Sequence, residues 1–457
     1  MSKTLTDEQQ QWVEEAHRED INGWIYLRVG GEPFKRGFQM GFCTVNEFRD
    51  AVRVYSETTY LTLGMEYSFF VKHAVEMHKP LITPEILEEM EGMAAGFTAG
   101  GYPTTVDDII GWNAWEEVTG YWWPTVADKY AKDGPKKAQA MHCSAFVSTG
   151  SWSKDGKPVM GHTSFDYFAY GQYFNVFLDL TPANGHRMVM QTVPGYIGSF
   201  TDFWVTDAGL AITETTMGGF KGYEPKKTPE YVRAREACQY ANNIDEWVEL
   251  VRKNDNGGYA NTWLLADANT GEIARYEEGL IYTNLEKTTD GYYFGDNGPN
   301  DPRIQHLEAS PVGYNDIRTQ VGARRVRWMQ LLNEHKGEIT GEAGKRFLAD
   351  DFDPYLGFRK PGLRTICAHC DSDPGDVGGP PPFAPFGSCD GKVADAEDIK
   401  AMRFWGRFGR ADGAPFYAKQ YNAEHPQWDT WAPYLIDRPS QPWTLFDNGS
   451  VTTQQSI

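Results

Sequence analysis

The sequence predicts an α+β protein in which antiparallel sheets lie between layers of helices. Before residue 142, apolar residues recur at three- and four-residue spacing, which is typical of helices. From Cys143 onward, short runs of alternating apolar and polar residues are separated by turn dipeptides, which is typical of hairpins. Helical spacing returns at residues 229–254 and 322–337. Sheets that are preceded and followed by helices favour a layered sandwich.

The first third of the chain is predicted to be mainly helical. Residues 7–19 have the spacing of a short helix, and residues 23–31 alternate like a strand. Helical spacing with breaks covers residues 34–79. Residues 83–97 open with a Thr cap and an acidic first turn, which indicates a further helix. Residues 106–123 continue the helical pattern.

Antiparallel strands are predicted for the middle of the chain. The dipeptides Asp155-Gly156 and Asn184-Gly185 tolerate the positive φ angles of tight hairpin turns. Residues 203–216 and 261–279 repeat the same form of two apolar runs around a turn. Several such runs in succession indicate one sheet or two.

Composition limits the classes of function. At 457 residues the chain can bury a substantial core, in one large domain or two closely packed layers. Aromatic residues make up 14% of the chain, enough to line an apolar cleft as well as a core. The formal charge of −20 repels phosphate backbones and anionic lipid headgroups, so no nucleic acid partner is expected. Residues 371–387 are rich in Pro and Gly and are predicted to form a loop.

Targeting signals are weak in this sequence. No run approaches the roughly 18 apolar residues of a membrane span, so no transmembrane segment is predicted. The first twenty residues lack the apolar core of a secretory signal. We therefore expect a cytoplasmic protein as the sequence is written, or a secreted or periplasmic one if a signal has been removed. Assembly into a homo-oligomer is left open.

The cysteines predict thiols rather than disulfides. The six cysteines are too few and too scattered for a disulfide framework. The spacing of Cys367, His369 and Cys370, with Cys389 further on, is compatible with structural zinc, but a complete site needs a fourth ligand. Ordinary thiols are favoured, and neither a metal nor a cofactor is predicted.

Cys143 is the candidate nucleophile. If the bond between His142 and Cys143 is cut, Cys143 carries both a thiol, of pKa about 8.5, and an amine, of pKa about 7.7–8.0. The amine can then take the thiol proton, so one residue supplies nucleophile and base. No Gly-x-Ser-x-Gly, His-Glu-x-x-His or phosphate-loop motif offers an alternative. An ordinary buried cysteine at the start of a strand is the other interpretation.

The hairpin that follows Cys143 brings polar residues back toward it. His162, Thr163 and Asp166 lie on the returning strand. Asn261 stands at the start of a later hairpin, where its amide could stabilise the negative oxygen of an acyl-transfer reaction. Asp166 and Asn261 are also residue types that cap turns, and that alternative stays open.

The motifs around Cys143 resemble those of a known family. Cys-Ser-x-Phe begins at Cys143, and Gly-His-Thr-x-x-Asp-Tyr occupies residues 161–167. Together they resemble the N-terminal nucleophile (Ntn) hydrolases of the phospholipase B-like family, which are related to the acyl-coenzyme A:isopenicillin N acyltransferases and the choloylglycine hydrolases. The similarity continues at residues 193–216, around Asn261 and at residues 386–402.

This resemblance implies an αββα sandwich that is made as an inactive precursor and cleaves itself. Residues 30–41, 88–97 and 108–117 are similar to the pro-segment of the penicillin acyltransferase relatives. The implied division is a helical pro-segment or small chain at residues 1–142, packed on a catalytic core at residues 143–457.

The resemblance also implies roles for the candidate residues. The Cys143 thiol is the nucleophile and its amine the base, while Asn261 donates to the oxyanion. Asp166 holds the amino group, and His162 with Thr163 orients the site or assists the scission.

Basic residues late in the chain complete the expected set. Such a residue often finishes sites of this family, and the sequence leaves Arg324 and Arg325 as alternatives. Asp390 and Lys392 are expected to form a structural ion pair.

The function implied is that of an autoproteolytic N-terminal cysteine hydrolase. It would cleave an acyl amide bond through a thioester, acting on a small acylated molecule such as an N-acyl amide or a lipid. The alternatives are a lipid ester hydrolase with phospholipase B activity, an acyltransferase, and a catalytically silent ligand-binding protein on the same fold. The sequence departs from the animal lysosomal members because it is shorter and lacks their secretory signal.

Overall fold

The computed structural model describes residues 5–130, 143–375, 377, 379–447 and 449–455. His142 lies outside the described residues, so the predicted scission between His142 and Cys143 stays a prediction. The predicted division into residues 1–142 and 143–457 likewise stays a prediction.

The helices are, in chain order, α1 (Asp7–Glu15), α2 (Pro33–Cys43), α3 (Val45–Leu63), α4 (Tyr67–His78), α5 (Pro84–Ala99), α6 (Val106–Glu117), α7 (Trp123–Tyr130), α8 (Phe168–Gly171), α9 (Glu230–Tyr240), α10 (Ile244–Val251), α11 (Gln320–Glu334), α12 (Gly341–Leu348), α13 (Ala396–Lys400) and α14 (Ala418–Glu424). Single π-helical turns occupy Val118–Trp122 and Ile304–Glu308.

The strands are, in chain order, β1 (His17–Ile21), β2 (Trp24–Gly31), β3 (Cys143–Thr149), β4 (Val159–Tyr167), β5 (Val176–Pro182), β6 (Met188–Thr192), β7 (Phe203–Thr206), β8 (Leu210–Thr216), β9 (Asn261–Asp267), β10 (Ile273–Glu278), β11 (Thr283–Thr288), β12 (Gly291–Gly295), β13 (Phe352–Asp353), β14 (Phe358–Arg359), β15 (Phe386–Ser388), β16 (Asp390–Asp395), β17 (Trp405–Phe408), β18 (Trp443–Asp447) and β19 (Ser450–Gln454).

The described residues divide into two compact units. The first unit takes in the described part of residues 1–139, together with residues 175–201 and 221–259, and the second takes in the other described residues. In the first unit, strands β1, β2, β5 and β6 are neighbours in that order. Strands β2 and β5 pair in parallel, which differs from the predicted antiparallel sheets. The chain between them is long enough for the crossover that a parallel pair requires.

Helices α2 and α5 of the first unit pack with their backbones in close approach. A Cβ atom at Gly37 would lie 2.0 Å from the carbonyl oxygen of Glu89, and one at Gly92 would lie 2.1 Å from that of Phe34. Any larger residue would therefore push the two helices apart. This packing explains why glycines recur at four-residue spacing in both helices.

The second unit holds two antiparallel sheets. Strands β7 to β11 are neighbours in chain order in one, and the other has the order β12-β3-β4-β16-β17-β18-β19, with β15 paired to β4. Strand β3 contacts β8 and β9 of the first of these sheets, so the two sheets face each other there. The opposite face of β3 is covered by α11 and α12, where Phe146 packs in one apolar cluster with Trp328 and Phe347.

The α+β class, the helical N-terminal segment and, in the second unit, the antiparallel sheets are confirmed. The predicted helix at residues 229–254 is two helices, α9 and α10, because Asn243 caps a new start with its side chain accepting from the N–H of Glu246. The predicted helix at residues 7–19 ends at Glu15, where β1 follows. In the described part of the chain, no helix is both long and apolar enough to cross a membrane.

Candidate active site around Cys143

Cys143 is the first residue of β3, and its side chain faces the interior between the two sheets of the second unit. The residue is 1% exposed. The antiparallel register places Cys143 opposite Ser164 and Ala145 opposite His162. Because side chains alternate along a strand, Cys143, Ser164 and His162 share one face of the β3–β4 pair.

A buried carboxylate lies close to both the cysteine and the histidine. The Cys143 sulfur, a ring nitrogen of His162 and a carboxylate oxygen of Asp202 lie within 4.8 Å of one another. Asp202 has a positive φ of 59°, and its carbonyl accepts from the Thr213 hydroxyl at 2.6 Å. Sequence reasoning did not select Asp202, although it lies in the segment 193–216 that carries the resemblance.

Arg324, rather than Arg325, reaches Cys143. Arg324 is fully buried, and its Nη1 donates to the Cys143 carbonyl oxygen at 2.6 Å and to Ser144 Oγ at 3.0 Å. Arg325 instead lies over the ring of Tyr314, with its guanidinium carbon 4.3 Å from the ring centroid. The contacts thus distinguish Arg324 from Arg325, which the sequence left as alternatives.

Asn297 links Arg324 to the backbone nitrogen of Cys143. Its Oδ1 accepts from Arg324 Nη2 at 2.8 Å and from the Cys143 N–H at 3.4 Å. Its Nδ2 donates to the carbonyl of Thr216 at 2.7 Å. Sequence reasoning missed Asn297, which no motif around it distinguishes from a loop asparagine.

Asn261 begins β9 opposite Thr216 of β8 and is completely buried. Neither its Oδ1 nor its Nδ2 has a hydrogen-bond partner among the described residues. Buried amides are nearly always paired, because leaving one without a partner costs about 1–3 kcal/mol. An interior amide with free donors and acceptors is suited to bind a polar atom of a ligand.

A buried ion pair supports the strand beside Cys143. Lys392 Nζ lies 2.7 Å from Asp390 Oδ1 and donates to Ser164 Oγ at 2.8 Å. Asp390 Oδ1 also accepts from the backbone N–H of Ser164 at 2.8 Å. Both charged residues are completely buried, so the expected ion pair forms and its lysine touches the residue opposite Cys143.

Thr163 and Asp166 have other contacts. Thr163 lies on the opposite face of β4 from His162, and its hydroxyl donates to the Asp390 carbonyl at 2.7 Å and contacts Ser388 Oγ at 2.9 Å. The Asp166 carboxylate accepts from the N–H of Tyr167 at 2.7 Å. Asp166 itself pairs with Gly387 of β15.

Burial and nearby charges keep the thiol and the imidazole neutral in the intact chain. Burial raises the pKa of the Cys143 thiol well above its usual range, and the negative charges of Glu214 and Asp202 raise it further. Burial lowers the pKa of His162 well below its usual range, and the Lys392 charge adds to this effect. The intact chain therefore disfavours a thiolate–imidazolium pair of Cys143 and His162.

Comparisons with known proteins follow the same region of the chain. Residues 85–283 match the family model described as Phospholipase B. Phospholipase B of Crotalus adamanteus is 24% identical over 292 residues, which are 56% of this chain and 49% of that protein. Phospholipase B-like 1 of Homo sapiens is 23% identical over 282 residues, with the same coverage of 56% and 49%. The chain spans about half the length of the curated relatives it matches.

Similarity to solved structures is lower. A mutant of conjugated bile acid hydrolase from Clostridium perfringens aligns with 58% of this chain and 89% of that chain, with a TM-score of 0.33 and 11% identity. The matched region and the curated relatives confirm the resemblance that the motifs predicted. The chain is therefore similar to phospholipase B-like proteins over this region.

Proposed function

We propose that the chain is an N-terminal cysteine hydrolase that cleaves itself before Cys143 and then hydrolyses an acyl amide. The observation that carries this proposal is the convergence on Cys143 of Arg324, bound to its carbonyl, and Asn297, bound to its nitrogen. The unpartnered amide of Asn261, in the same interior, supports an acyl-transfer reaction over a structural role. The segments 1–142 and 143–457 are then the small and large chains.

Self-cleavage begins when the Cys143 thiol attacks the carbonyl carbon of residue 142. The new S–C bond replaces the C–N bond, and the thiol proton ends on the liberated Cys143 amine. Water then hydrolyses this thioester, which releases a carboxylate on the first chain and restores the thiol. Arg324 fixes the Cys143 carbonyl during this exchange, and Asn297 Oδ1 is positioned to accept from the new amine.

The liberated amine changes the electrostatics of the site. Glu214 and Asp202 raise the pKa of the thiol in the intact chain, and the same negative charges favour an ammonium at Cys143. An ammonium beside the sulfur in turn stabilises the thiolate. The two carboxylates that hinder activation of the precursor thus assist the processed enzyme.

Turnover repeats the same chemistry on a substrate. The thiolate attacks the acyl carbon, and the negative oxygen that forms accepts from Asn261 Nδ2. The Cys143 ammonium gives its proton to the leaving amine, so the C–N bond breaks and a thioester remains. The amine then removes a proton from water, which hydrolyses the thioester to a carboxylic acid. His162 and Asp202 line this space and orient the sulfur.

An amide is preferred as substrate because the Cys143 ammonium supplies the proton that an amine leaving group needs. The names of the relatives favour a phospholipid ester as the second candidate. Transfer of the acyl group to an amine differs from hydrolysis only in the acceptor, and its test is a parallel incubation with an added amine.

The test is product analysis by mass spectrometry. The purified protein is incubated with N-acyl amino acids, bile-salt-like amides and lysophospholipids, beside the Cys143→Ala variant. The proposal is supported if the wild type releases the carboxylic acid from the amides and Cys143→Ala does not. Hydrolysis of lysophospholipids alone would replace the amidase by an ester hydrolase. No turnover of either class, from a chain that stays intact, would favour a ligand-binding protein.

A further inference from the structure

A second cluster of cysteine, histidine and aspartate lies in the second unit, formed by Cys367, His369 and Asp412. Their sulfur, ring nitrogen and carboxylate oxygen lie within 4.8 Å of one another. His369 Nε2 is 2.9 Å from Asp412 Oδ2. Cys367 is fully buried and the His369 side chain is 5% exposed, whereas the Asp412 side chain is 22% exposed. The cluster is thus closed on the protein side and open at one edge.

The backbone holds the cysteine and the histidine in place. The N–H of Cys367 donates to the Asp350 carbonyl at 3.0 Å, and His369 forms a β-bridge with Gly387. A Cβ at Gly387 would lie only 2.4 Å from the carbonyl oxygen of Ala368, so the two segments are in direct backbone contact. The donors are therefore preorganised by main-chain contacts.

Three groups around the Cys367 sulfur favour its anionic form. The N–H of Asp412 donates to the sulfur, and the Ser388 hydroxyl and the Arg410 guanidinium act in the same direction. Burial and the negative charge of the Asp412 carboxylate outweigh these groups and raise the pKa of the Cys367 thiol well above its usual range. A bound cation would reverse that balance, since a coordinating thiol is deprotonated.

We propose that Cys367, His369 and Asp412 bind one zinc ion, through the thiolate, the imidazole and a carboxylate oxygen. Sulfur, nitrogen and oxygen donors in one set are the ligands that zinc takes in proteins, and three protein ligands leave a fourth position for water. The exposed edge of Asp412 supplies the route for that water. The thiolate and the carboxylate together balance the two charges of the ion, so the ion and its ligands carry no net charge.

This ligand set differs from the one that the sequence spacing suggested. The Cys370 sulfur points to the Pro381 carbonyl at 3.9 Å. The Cys389 sulfur contacts the carbonyls of Gly387 and Asp166 at 3.4 and 3.7 Å. Asp412 replaces both cysteines as the third ligand. Asp412 lies in a loop after β17, 42 residues after Cys370 in the sequence. No local motif around it indicates a metal ligand.

The test is zinc and cobalt binding to the full-length protein after treatment with a chelator. We expect about one tightly bound zinc per chain by elemental mass spectrometry, in the wild type, in Cys143→Ala and in Cys370→Ser. Cobalt should give a thiolate-to-metal charge-transfer band. Cys367→Ser should lose this band and weaken zinc binding by more than the roughly 10–100-fold known for groups outside the ligand shell.

A milder variant guards against misfolding. Asp412→Asn preserves the size of the side chain and should weaken zinc binding while the cobalt–thiolate band persists. Thermal melting without metal confirms that each variant is folded. The proposal is overturned if the wild type retains no zinc, if binding survives Cys367→Ser, or if it is lost in Cys143→Ala, which would move the metal to the Cys143 cluster. Equal loss in Cys370→Ser would also contradict it.

Discussion

Among the described residues, the second unit has two clusters of cysteine, histidine and aspartate whose sulfur, nitrogen and oxygen atoms lie within 4.8 Å of one another, and the surroundings of the two clusters differ. Arg324 binds the backbone carbonyl of Cys143, and the Asn261 side chain of the same unit has no hydrogen-bond partner among the described residues. The Cys143 cluster leaves polar groups without hydrogen-bond partners near a thiol. In the Cys367 cluster, the histidine and the aspartate contact each other, and the aspartate N–H donates to the sulfur.

The three residue types alone therefore do not determine the chemistry of a cluster. Unpaired interior groups are a cost that a catalytic site can use when a substrate or transition state supplies the partner. Converging sulfur, nitrogen and oxygen donors, held by backbone contacts, are suited to bind a metal ion. We therefore assign a reaction to the first cluster and a metal to the second.

Replacement of Cys143 by alanine is the largest expected effect. Because the residue supplies both sulfur and base, Cys143→Ala should leave the chain uncut and lower acyl hydrolysis by at least about 10⁴-fold. Intact-mass measurement and product analysis check the two outcomes. Cys43→Ala, a change in the other unit, should leave both unchanged. Normal hydrolysis by Cys143→Ala would show that Cys143 is not the nucleophile.

Replacement of Asn261 by alanine comes next. The loss of one oxyanion donor should lower kcat by about 10²–10³-fold, with little change in KM. Stability should not fall as it does for a paired buried amide, because Asn261 has no hydrogen bond to lose.

Asn333→Ala is the matched control. Its amide contacts the Tyr292 hydroxyl and the Met329 carbonyl, away from Cys143. Steady-state kinetics give kcat and KM for both variants. Equal kcat values would assign Asn261 a structural role.

Arg324 and Arg325 form a natural pair of tests. Arg324→Gln removes charged hydrogen bonds to the Cys143 carbonyl and to Asn297, each of the kind that contributes about 1.5–3 kcal/mol. Self-cleavage should slow by about 10–100-fold in a time course followed by gel. Arg325→Gln should cleave at the normal rate. A reversed order would show that the Arg324 contacts do not position the scissile bond.

The reactivity of the thiols gives the smallest effect. Burial, Glu214 and Asp202 raise the pKa of the Cys143 thiol in the uncut chain, so it should react with iodoacetamide only as pH rises toward that pKa. The ammonium formed by cleavage lowers the thiol pKa, and a lowering of one unit increases the thiolate about tenfold near pH 7.

Peptide mapping separates the cut and uncut forms in one sample. The cut peptide should be alkylated at least about tenfold faster at pH 7, and zinc should protect Cys367 without protecting Cys143. Equal rates for cut and uncut chains would contradict the proposed role of the amine.

Much of the fold could be read from local sequence signals. The turn glycines at Gly156 and Gly185 have positive φ angles of 75° and 90°, as their dipeptides predicted. The parallel pairing of β2 with β5 could not be read, because it joins segments that are far apart in the chain. The break between α9 and α10 depends on one cap, Asn243, which the helical spacing of its neighbours obscured.

The site was only partly predictable. Cys143, His162 and Asn261 lie on strands whose register follows from alternation, so motifs could suggest that they meet. Arg324 and Arg325 are adjacent on a helix and point about 100° apart, and only tertiary packing decides which one reaches the site. Asp202 and Asn297 come from loops that the sequence pattern leaves undetermined.

The most direct test of the central claim is N-terminal sequencing of purified, active protein together with its intact mass. We expect two fragments, the larger of which begins Cys-Ser-Ala-Phe at Cys143, and a single uncut chain for Cys143→Ala. A fully active preparation that consists of one uncut chain, with no new terminus at Cys143, would contradict that claim.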